Sequence, residues 1–504
     1  MLIGIDIGGT HTDAVLVSKG KMVRAFKTAT TRPLEEGVKK ALIEIGHLDE
    51  LKAVHVGTTH ATNALLEGKN LFRTGVIRLA GHRPDALKPC AGWPLFLKEK
   101  IFAGVETVDG GWECDLRAIT MLNPAQIKDA SEKLAAAGVE SLAIVGVFSP
   151  ILSEQEEMAA AAVREVLGEE FPITLSSEIG GIGFIERENA SILNASLKKP
   201  MREGFERLKE TLTALGVNAP LHLTQNNGSV IDLKRAIEYP LLTVSSGPTN
   251  SFIGASRLAG LSDAIVVDIG GTSTDIGCVK NGFPRRSIHN VSFGGVALNF
   301  RAPDVLALPI GGGSYLDGRR IGPESCGGAL RTQAQVFGGE FLTLTDAACV
   351  AGVMSIPGAE VSRVCLSTIE AQNLIATVRS QVASGVEKMR GGRKDLPVIA
   401  VGGGAAIASA FQPEHQAVAN AYGAALAEVS ATIDTVLSLS DRGKQLEDLK
   451  DQALQLAVDE GASSSSVRIV DLQVIPYHYV PNQLARVIAT ASGTPLEELL
   501  NCSR

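Results

Sequence analysis

Two near-copies of one octapeptide carry the residues best suited to chemistry. Asp6-Ile-Gly-Gly-Thr-His-Thr-Asp13 and Asp268-Ile-Gly-Gly-Thr-Ser-Thr-Asp275 agree at seven of eight positions, 262 residues apart. Bare glycines let backbone N–H groups approach a polyanion, and adjacent hydroxyls add donors. Gly8, Gly9, Thr10, His11 and Thr12 form one candidate phosphate turn; Gly270, Gly271, Thr272 and Ser273 form the other. Carboxylates repel phosphate, so Asp6 and Asp268 suit a hydrated Mg²⁺ that neutralises it. Gly402, Gly403 and Gly404 end an apolar run at 398–401 and offer bare backbone on which adenine or ribose could lie. The Gly-x-x-x-x-Gly-Lys-Ser/Thr signature does not occur, which excludes a P-loop enzyme. Thr58, Thr59, His60 and Asn63 cluster at an expected strand end as candidate substrate contacts; for His60 the rival reading is an exposed residue at a helix start. Glu186, Arg187 and Glu188 read as a solvated helix face. No Ser-His-Asp logic and no His-x-x-x-His cluster points to a stand-alone hydrolase.

The elements that must position these residues repeat as well. Apolar runs flank each octapeptide (2–5 and 14–17; 264–267 and 276–279), and a turn follows each, Lys19-Gly20 and Asn281-Gly282. Both copies therefore predict strand, turn and strand, with third strands at 22–27 and 283–289. Helical spacing predicts helices over 33–46, 124–138, 368–389 and 417–430, and Ser153 with Glu156 has the spacing of a capping box opening a helix to 167. Strands are expected at 141–148, 173–176 and 397–401. Hairpins first and alternating helices and strands after, in both halves, argue an α/β class with mixed sheets flanked by helices. Beyond about residue 440, a helix at 444–458 and strands at 467–475 and 485–491 form an appendage.

Length and composition bound the answer. The chain has 504 residues, too many for one ordinary core, so two large domains are expected. Its 45% apolar and 20% charged residues, with 53 glycines, suit a soluble globular protein rich in tight turns. A net charge of −8 argues against a nucleic-acid or anionic-membrane surface. Seven cysteines with no Cys-x-x-Cys pair read as reduced thiols, and the start lacks a signal-peptide pattern, so a cytoplasmic location is expected.

Together the three glycine segments resemble the phosphate-1, phosphate-2 and adenosine motifs of the actin, sugar-kinase and heat-shock ATPase superfamily. Residues 245–254 and 420–425 look like its two connecting helices, which cross at the interdomain hinge. More narrowly, the first octapeptide, Gly57-Thr-Thr-His-Ala-Thr-Asn-Ala-Leu-Leu-Glu67, Ser246-Gly-Pro-Thr-Asn-Ser-Phe-Ile-Gly-Ala-Ser-Arg-Leu-Ala-Gly260, Val266-Val-Asp-Ile-Gly-Gly-Thr-Ser-Thr-Asp275 and Pro309-Ile-Gly-Gly-Gly-Ser314 resemble the hydantoinase/oxoprolinase A-subunit family over about residues 1–435. The resemblance implies duplicated ribonuclease-H-like (actin-like ATPase) domains at 1–185 and 186–437, with a nucleotide cleft between them and 438–504 appended. It implies ATP with Mg²⁺ as cofactors, Asp6 and Asp268 holding the metal through water. Asp275 would orient an attacking oxygen or water and Asp13 is its counterpart, with hairpin stabilisation the rival reading for both. The implied reaction is ATP-dependent ring opening of a cyclic amide (hydantoin, 5-oxoproline or lactam type), with a B-type hydantoinase subunit as partner; a homo-oligomer is left open. Related members activate ketones for carboxylation. A small-molecule kinase of the same fold and a regulatory ATPase are the rival classes.

Overall fold

The computed structural model describes residues 1–495 apart from 32–33, 82–86, 288–290, 300–301, 319, 439–441 and 478–483. Each octapeptide is the tip of an antiparallel hairpin. Leu2–Ile7 pairs with His11–Ser18, which pairs with Lys21–Ala29, while Ala53–Thr58 lies parallel on the other side of Leu2–Ile7. The second copy repeats this: Ala264–Ile269 pairs antiparallel with Thr274–Lys280 and parallel with Val398–Val401. Both following turns place two residues in the left-handed region, Lys19 and Gly20 at φ 50 and 73, Asn281 and Gly282 at φ 53 and 80. That backbone matches the twist of a tight hairpin.

The copies diverge at the third strand. Lys21–Ala29 is nine residues long, whereas its counterpart is only Phe283–Pro284. Proline has no N–H for the ladder, and Val305–Leu308 takes over the pairing along Thr274–Lys280. The remainder of the expected strand at 283–289 includes residues 288–289, outside the described residues. Two further strands, Leu221–Thr224 and Val230–Asp232, complete the first sheet at six strands. The expected boundary at 185/186 therefore cuts across this sheet.

Two expectations about the first half change in the structure. The strands Ser141–Gly146 and Ile173–Leu175 do not extend the hairpin sheet; they join Thr74–Leu79 and Phe102–Val108 in a separate, wholly parallel four-stranded sheet. The helices Pro124–Ala136 and Glu154–Leu167 serve as crossovers between its parallel strands and pack side by side on one face. The capping box at Ser153 does not form. Ser153 Oγ bonds Glu157 Oε1, and Glu156 turns inward to accept from Gly146 N (2.7 Å), Ser176 Oγ (2.6 Å) and Ser177 N (2.9 Å).

The helix Phe184–Ala214 lies between these two sheets, which overturns the solvated reading of its start. Arg187 and Glu188 are both 0% exposed. Glu188 receives a bidentate Arg78 guanidinium at 2.6 and 2.8 Å, while Arg187 donates to Ser176 Oγ, Gly181 O, Ile182 O and Gly146 O. A helix buried on several sides shows no simple polar face, which is why the charges misled. Pro200 inside it lacks a donor, and the freed Ser196 carbonyl accepts from Phe72 N at 3.0 Å.

The two connecting helices are Ser246–Ala259 and Ala419–Ala425. They cross on bare backbone: a Cβ at Gly254 would sit 1.9 Å from Ala419 O, and one at Gly423 would sit 1.9 Å from Asn250 O. Glycine is required at both. The second helix is shorter than the expected 417–430, because β-branched Val429 opens a new strand and Glu428 O accepts from Val230 N at 2.9 Å. Val429–Ser438 pairs with Leu484–Gly493, which also pairs with Arg468–Pro476, and helix Arg442–Asp459 backs this sheet. The boundary expected at 437/438 falls inside its first strand.

Candidate functional site

The hairpin register sets the four aspartates in two facing pairs, Asp6 opposite Asp13 and Asp268 opposite Asp275. The two turns close identically, Gly8 N to His11 O at 3.0 Å and Gly270 N to Ser273 O at 2.9 Å. They also touch: a Cβ at Gly271 would lie 2.8 Å from Thr10 Cγ2. Each turn is braced through its carbonyls. Thr30 Oγ1 donates to Gly8 O (2.8 Å) and Thr30 N to Thr10 O (3.0 Å); Gly312 N and Gly313 N donate to Gly270 O (2.9 Å) and Gly271 O (2.7 Å). The amides of Gly9, Thr10, Gly271, Thr272 and Ser273 make no hydrogen bond among the described residues. Carbonyls anchored and amides free is the arrangement a polyanion needs.

Burial dominates the electrostatics. It raises the carboxyl pKa of Asp6 far above the ordinary range, with Asp13 and Asp268 adding and Lys27 opposing. Burial also raises Asp13 against the pull of Lys27, and raises Asp268 against a Ser251 hydrogen bond and Lys27. Asp275 is pushed up to about 7, by burial and then by the charge of Asp268. Lys27 Nζ reaches Asp13 Oδ2 at 2.8 Å and Ala417 O at 3.1 Å, while Asp13 Oδ1 is buried without a partner. Burial, Lys27 and Arg331 hold His11 down at about 4, so its ring is neutral near pH 7. Acids that repel one another across two turns, beside an unpaired buried oxygen, are arranged for added positive charge.

Magnesium fits this donor set in its usual manner. Among the described residues no three His, Cys, Asp or Glu side chains form a ready metal cage. Mg²⁺ commonly keeps its waters and is held by one or two carboxylates plus substrate phosphates; Asp6 and Asp268 would supply those carboxylates from opposite turns.

Each aspartate is admitted by a glycine on the neighbouring parallel strand or just beyond it. A Cβ at Gly57 would lie 3.0 Å from Asp6 Oδ1, and one at Gly402 would lie 2.3 Å from Asp268 Oδ1. Gly402 has φ 89, Gly404 N bonds Ile269 O at 2.8 Å, and Gly403 faces open space. The third glycine turn thus joins the second aspartate, with one bare residue left to face a ring. Thr12 is turned inward, its hydroxyl 3.3 Å from Thr30 Oγ1.

The other candidates divide. Thr58 and Thr59 sit beside the first turn: Ile7 pairs with Thr58, and Thr59 N and Oγ1 both donate to Ile7 O. Asn63 is exposed and donates to Thr59 Oγ1 at 3.3 Å. His60 turns away, half-buried against the long helix, with Nε2 3.2 Å from Pro200 O; Thr59, not His60, is the helix cap.

Lys27, Thr224, Asn250 and Ser251 were missed from sequence. Lys27 stands directly across from Asp13, but a bulge between Leu16 and Val17 shifts the register; without it Phe26 would face Asp13. Thr224 and Asn250 join through a 2.9 Å hydrogen bond beside Gly57, a contact between segments that sequence spacing does not display.

Two models of one family match the chain, the hydantoinase/oxoprolinase N-terminal region at residues 2–167 and hydantoinase/oxoprolinase at 187–356, together about two thirds of its length. Caprolactamase subunit alpha of Pseudomonas jessenii is 28% identical over 388 residues, covering 70% of this chain and 54% of that protein. Acetophenone carboxylase gamma subunit of Aromatoleum aromaticum is 25% identical over 405 residues, covering 70% and 53%. The chain therefore spans about half the length of these curated relatives. The crystal structure of ATP-dependent caprolactamase from Pseudomonas jessenii superposes with a TM-score of 0.76 at 21% identity, covering 98% of this chain and 88% of that one. Nucleotide-free acetone carboxylase gives 0.70 at 18% identity with the same coverage. The chain belongs to the hydantoinase/oxoprolinase family and shares the α/β fold of these solved structures, mixed sheets flanked by helices.

Proposed function

We propose that this chain binds ATP with Mg²⁺ between its two hairpin turns and uses it to activate a cyclic amide for ring opening. The observation that carries the reading is the pair of touching turns with free amides and coupled buried carboxylates. The amides of Gly9 and Thr10 on one side, and of Gly271, Thr272 and Ser273 on the other, would hold phosphate oxygens. Gly402, Gly403 and Gly404 would lie against the nucleoside. Asp6 and Asp268 would hold the metal, which when bound supplies the charge that phosphoryl transfer requires.

An unstrained amide resists water. Phosphoryl transfer to its carbonyl oxygen makes the carbon electrophilic, so the protein's work is positioning and charge stabilisation. Asp275, with its pKa near 7, is poised to take or orient a proton at neutral pH. Asp13 pairs with Lys27 at 2.8 Å, which opposes the upward pull of burial on its carboxyl, and would fix the geometry of the first turn. Thr58 and Thr59 are proposed to contact substrate beside that turn, with Asn63 further out, while His60 is engaged by the long helix.

Relatives that are subunits support a separate B-type subunit as partner. The carboxylase relatives support a second reading, activation of a ketone for carboxylation. No described helix is long and apolar enough to cross a membrane, and the cytoplasm is the proposed location. The test is ADP formation from ATP with lactams, hydantoins, 5-oxoproline, ketones and sugars, with and without a B-type subunit. ADP made only with a cyclic amide supports the first reading; ADP made only with a ketone and bicarbonate supports the second. A stable phosphosugar would overturn both.

A further inference from the structure

One segment of the second half reaches across to the first phosphate turn. The strand Arg320–Ser325 ends beside the second turn, where Ser325 Oγ donates to Gly271 O at 3.3 Å and Cys326 N to Gly313 O at 3.0 Å. A little further on the chain rests on the first turn: a Cβ at Gly328 would lie 3.5 Å from Gly9 O and 3.8 Å from Thr10 Cα. The helical turn Gly327–Ala329 then runs into Leu330–Gln333. Helical residues three apart share a face, so Arg331 stands on the face that Gly328 lays against the first turn.

The surroundings of Arg331 leave its charge unopposed. Nη1 donates to Pro357 O at 3.2 Å, and the guanidinium lies over the Phe337 ring, 5.0 Å from its centroid. Both partners are neutral. Among the described residues no carboxylate pairs with it: Glu324 lies 3.9 Å from Arg320, Glu360 takes Arg363 at 2.7 Å, and Asp346 accepts from Val336 N and Thr343. The side chain is exposed, so its other N–H donors are open to a ligand. Lys27 and Arg331 are the two cations whose charge acts on His11 in the first turn. Asp13 takes Lys27 at 2.8 Å, which leaves Arg331 to answer added negative charge.

Position decides which phosphate it would meet. Gly402 and Gly404 adjoin Asp268 and Ile269 in the second half. A nucleoside lying there would send its phosphates past the second turn towards the first, with the last of them beside Gly9, Thr10 and Arg331. A planar guanidinium fork suits the oxygens of a terminal phosphate. We infer that Arg331, carried over the first turn by residues 325–331, binds the outermost phosphate of a nucleoside triphosphate and so makes the site favour the triphosphate over the diphosphate. The inference rests on the nucleotide reading above.

Titration calorimetry on the full chain in magnesium tests it, with AMP-PNP and ADP as probes. The wild type is expected to bind both. Arg331→Met keeps an apolar stem over Phe337 and removes the charge; it should weaken AMP-PNP about tenfold or more while ADP stays within about threefold. Arg320→Met removes an exposed cation from the preceding strand and should leave both affinities within about twofold. Circular-dichroism melts identify properly folded variants, and Arg331→Gln replaces the methionine variant should that one unfold. AMP-PNP affinity unmoved by the loss of Arg331, equal losses for both nucleotides, or an equal loss in Arg320→Met would overturn the inference and leave the nucleotide reading standing. A wild type that takes up neither nucleotide would sink both.

Discussion

Replacing Asp275 by asparagine should stabilise the nucleotide-free protein while disabling it. In the folded chain this carboxyl titrates near 7, against an ordinary value of 3.8. Below pH 3.8 it is neutral in both states and costs nothing. Between 3.8 and 7 the unfolded chain loses the proton first, so stability falls by about 1.4 kcal/mol per pH unit; above 7 the loss levels off. The full span corresponds to about 4 kcal/mol, and the partial exposure of the side chain trims it to about 2–4 kcal/mol. Asp275→Asn removes that cost and leaves Asp268 with one fewer like charge beside it. Thermal melts of the nucleotide-free proteins should show a gain of roughly 5–10 °C at pH 8, for a cooperative unit of a couple of hundred residues. The gain should shrink by pH 5. Saturating magnesium nucleotide should narrow the gap, because it provides the charge the wild type lacks. ATP turnover should fall ~10²–10⁴-fold if the group handles a proton. A variant less stable at every pH, a gain independent of pH, or undiminished turnover would refute the reasoning.

The remaining predictions follow from individual contacts. Asp268→Asn should lower ATP turnover ~10²–10³-fold in magnesium, while AMP-PNP affinity in EDTA, read by calorimetry, stays within a factor of a few. Lys27→Met leaves Asp13 buried without its cation; since Lys27 is one-third exposed, the loss should be about 1–2 kcal/mol in a melt at pH 8, fading as the pH falls and Asp13 protonates. Gly423→Ala puts a methyl group on the Asn250 carbonyl and should cost about 3 kcal/mol or more, with insoluble protein or a sharply lowered melting point. Arg78→Met removes the bidentate cation from fully buried Glu188 and should cost about 3–5 kcal/mol, whereas Arg78→Met with Glu188→Met should recover much of that loss.

The hairpins and their turns were legible because each is a local consequence of order along the chain. Continuous apolar runs with Lys19-Gly20 and Asn281-Gly282 between or after them mark the strands with no distant information. What failed depended on contacts between remote segments. Arg187 and Glu188 look solvated until the four-stranded sheet supplies Ser176, Gly146 and Arg78. Glu156 has cap spacing, but the stronger claim comes from three inward donors. His60 lies in a motif beside the first turn, yet the helix carbonyl of Pro200 draws it away.

Diffraction from crystals grown with AMP-PNP and Mn²⁺ in place of Mg²⁺, recorded at the manganese edge, tests the central claim most directly. The account requires one anomalous peak per chain between the side chains of Asp6 and Asp268, with the phosphates against Gly9, Thr10, Gly271 and Thr272. A peak or a nucleotide lodged anywhere else, with those two turns empty, would contradict it.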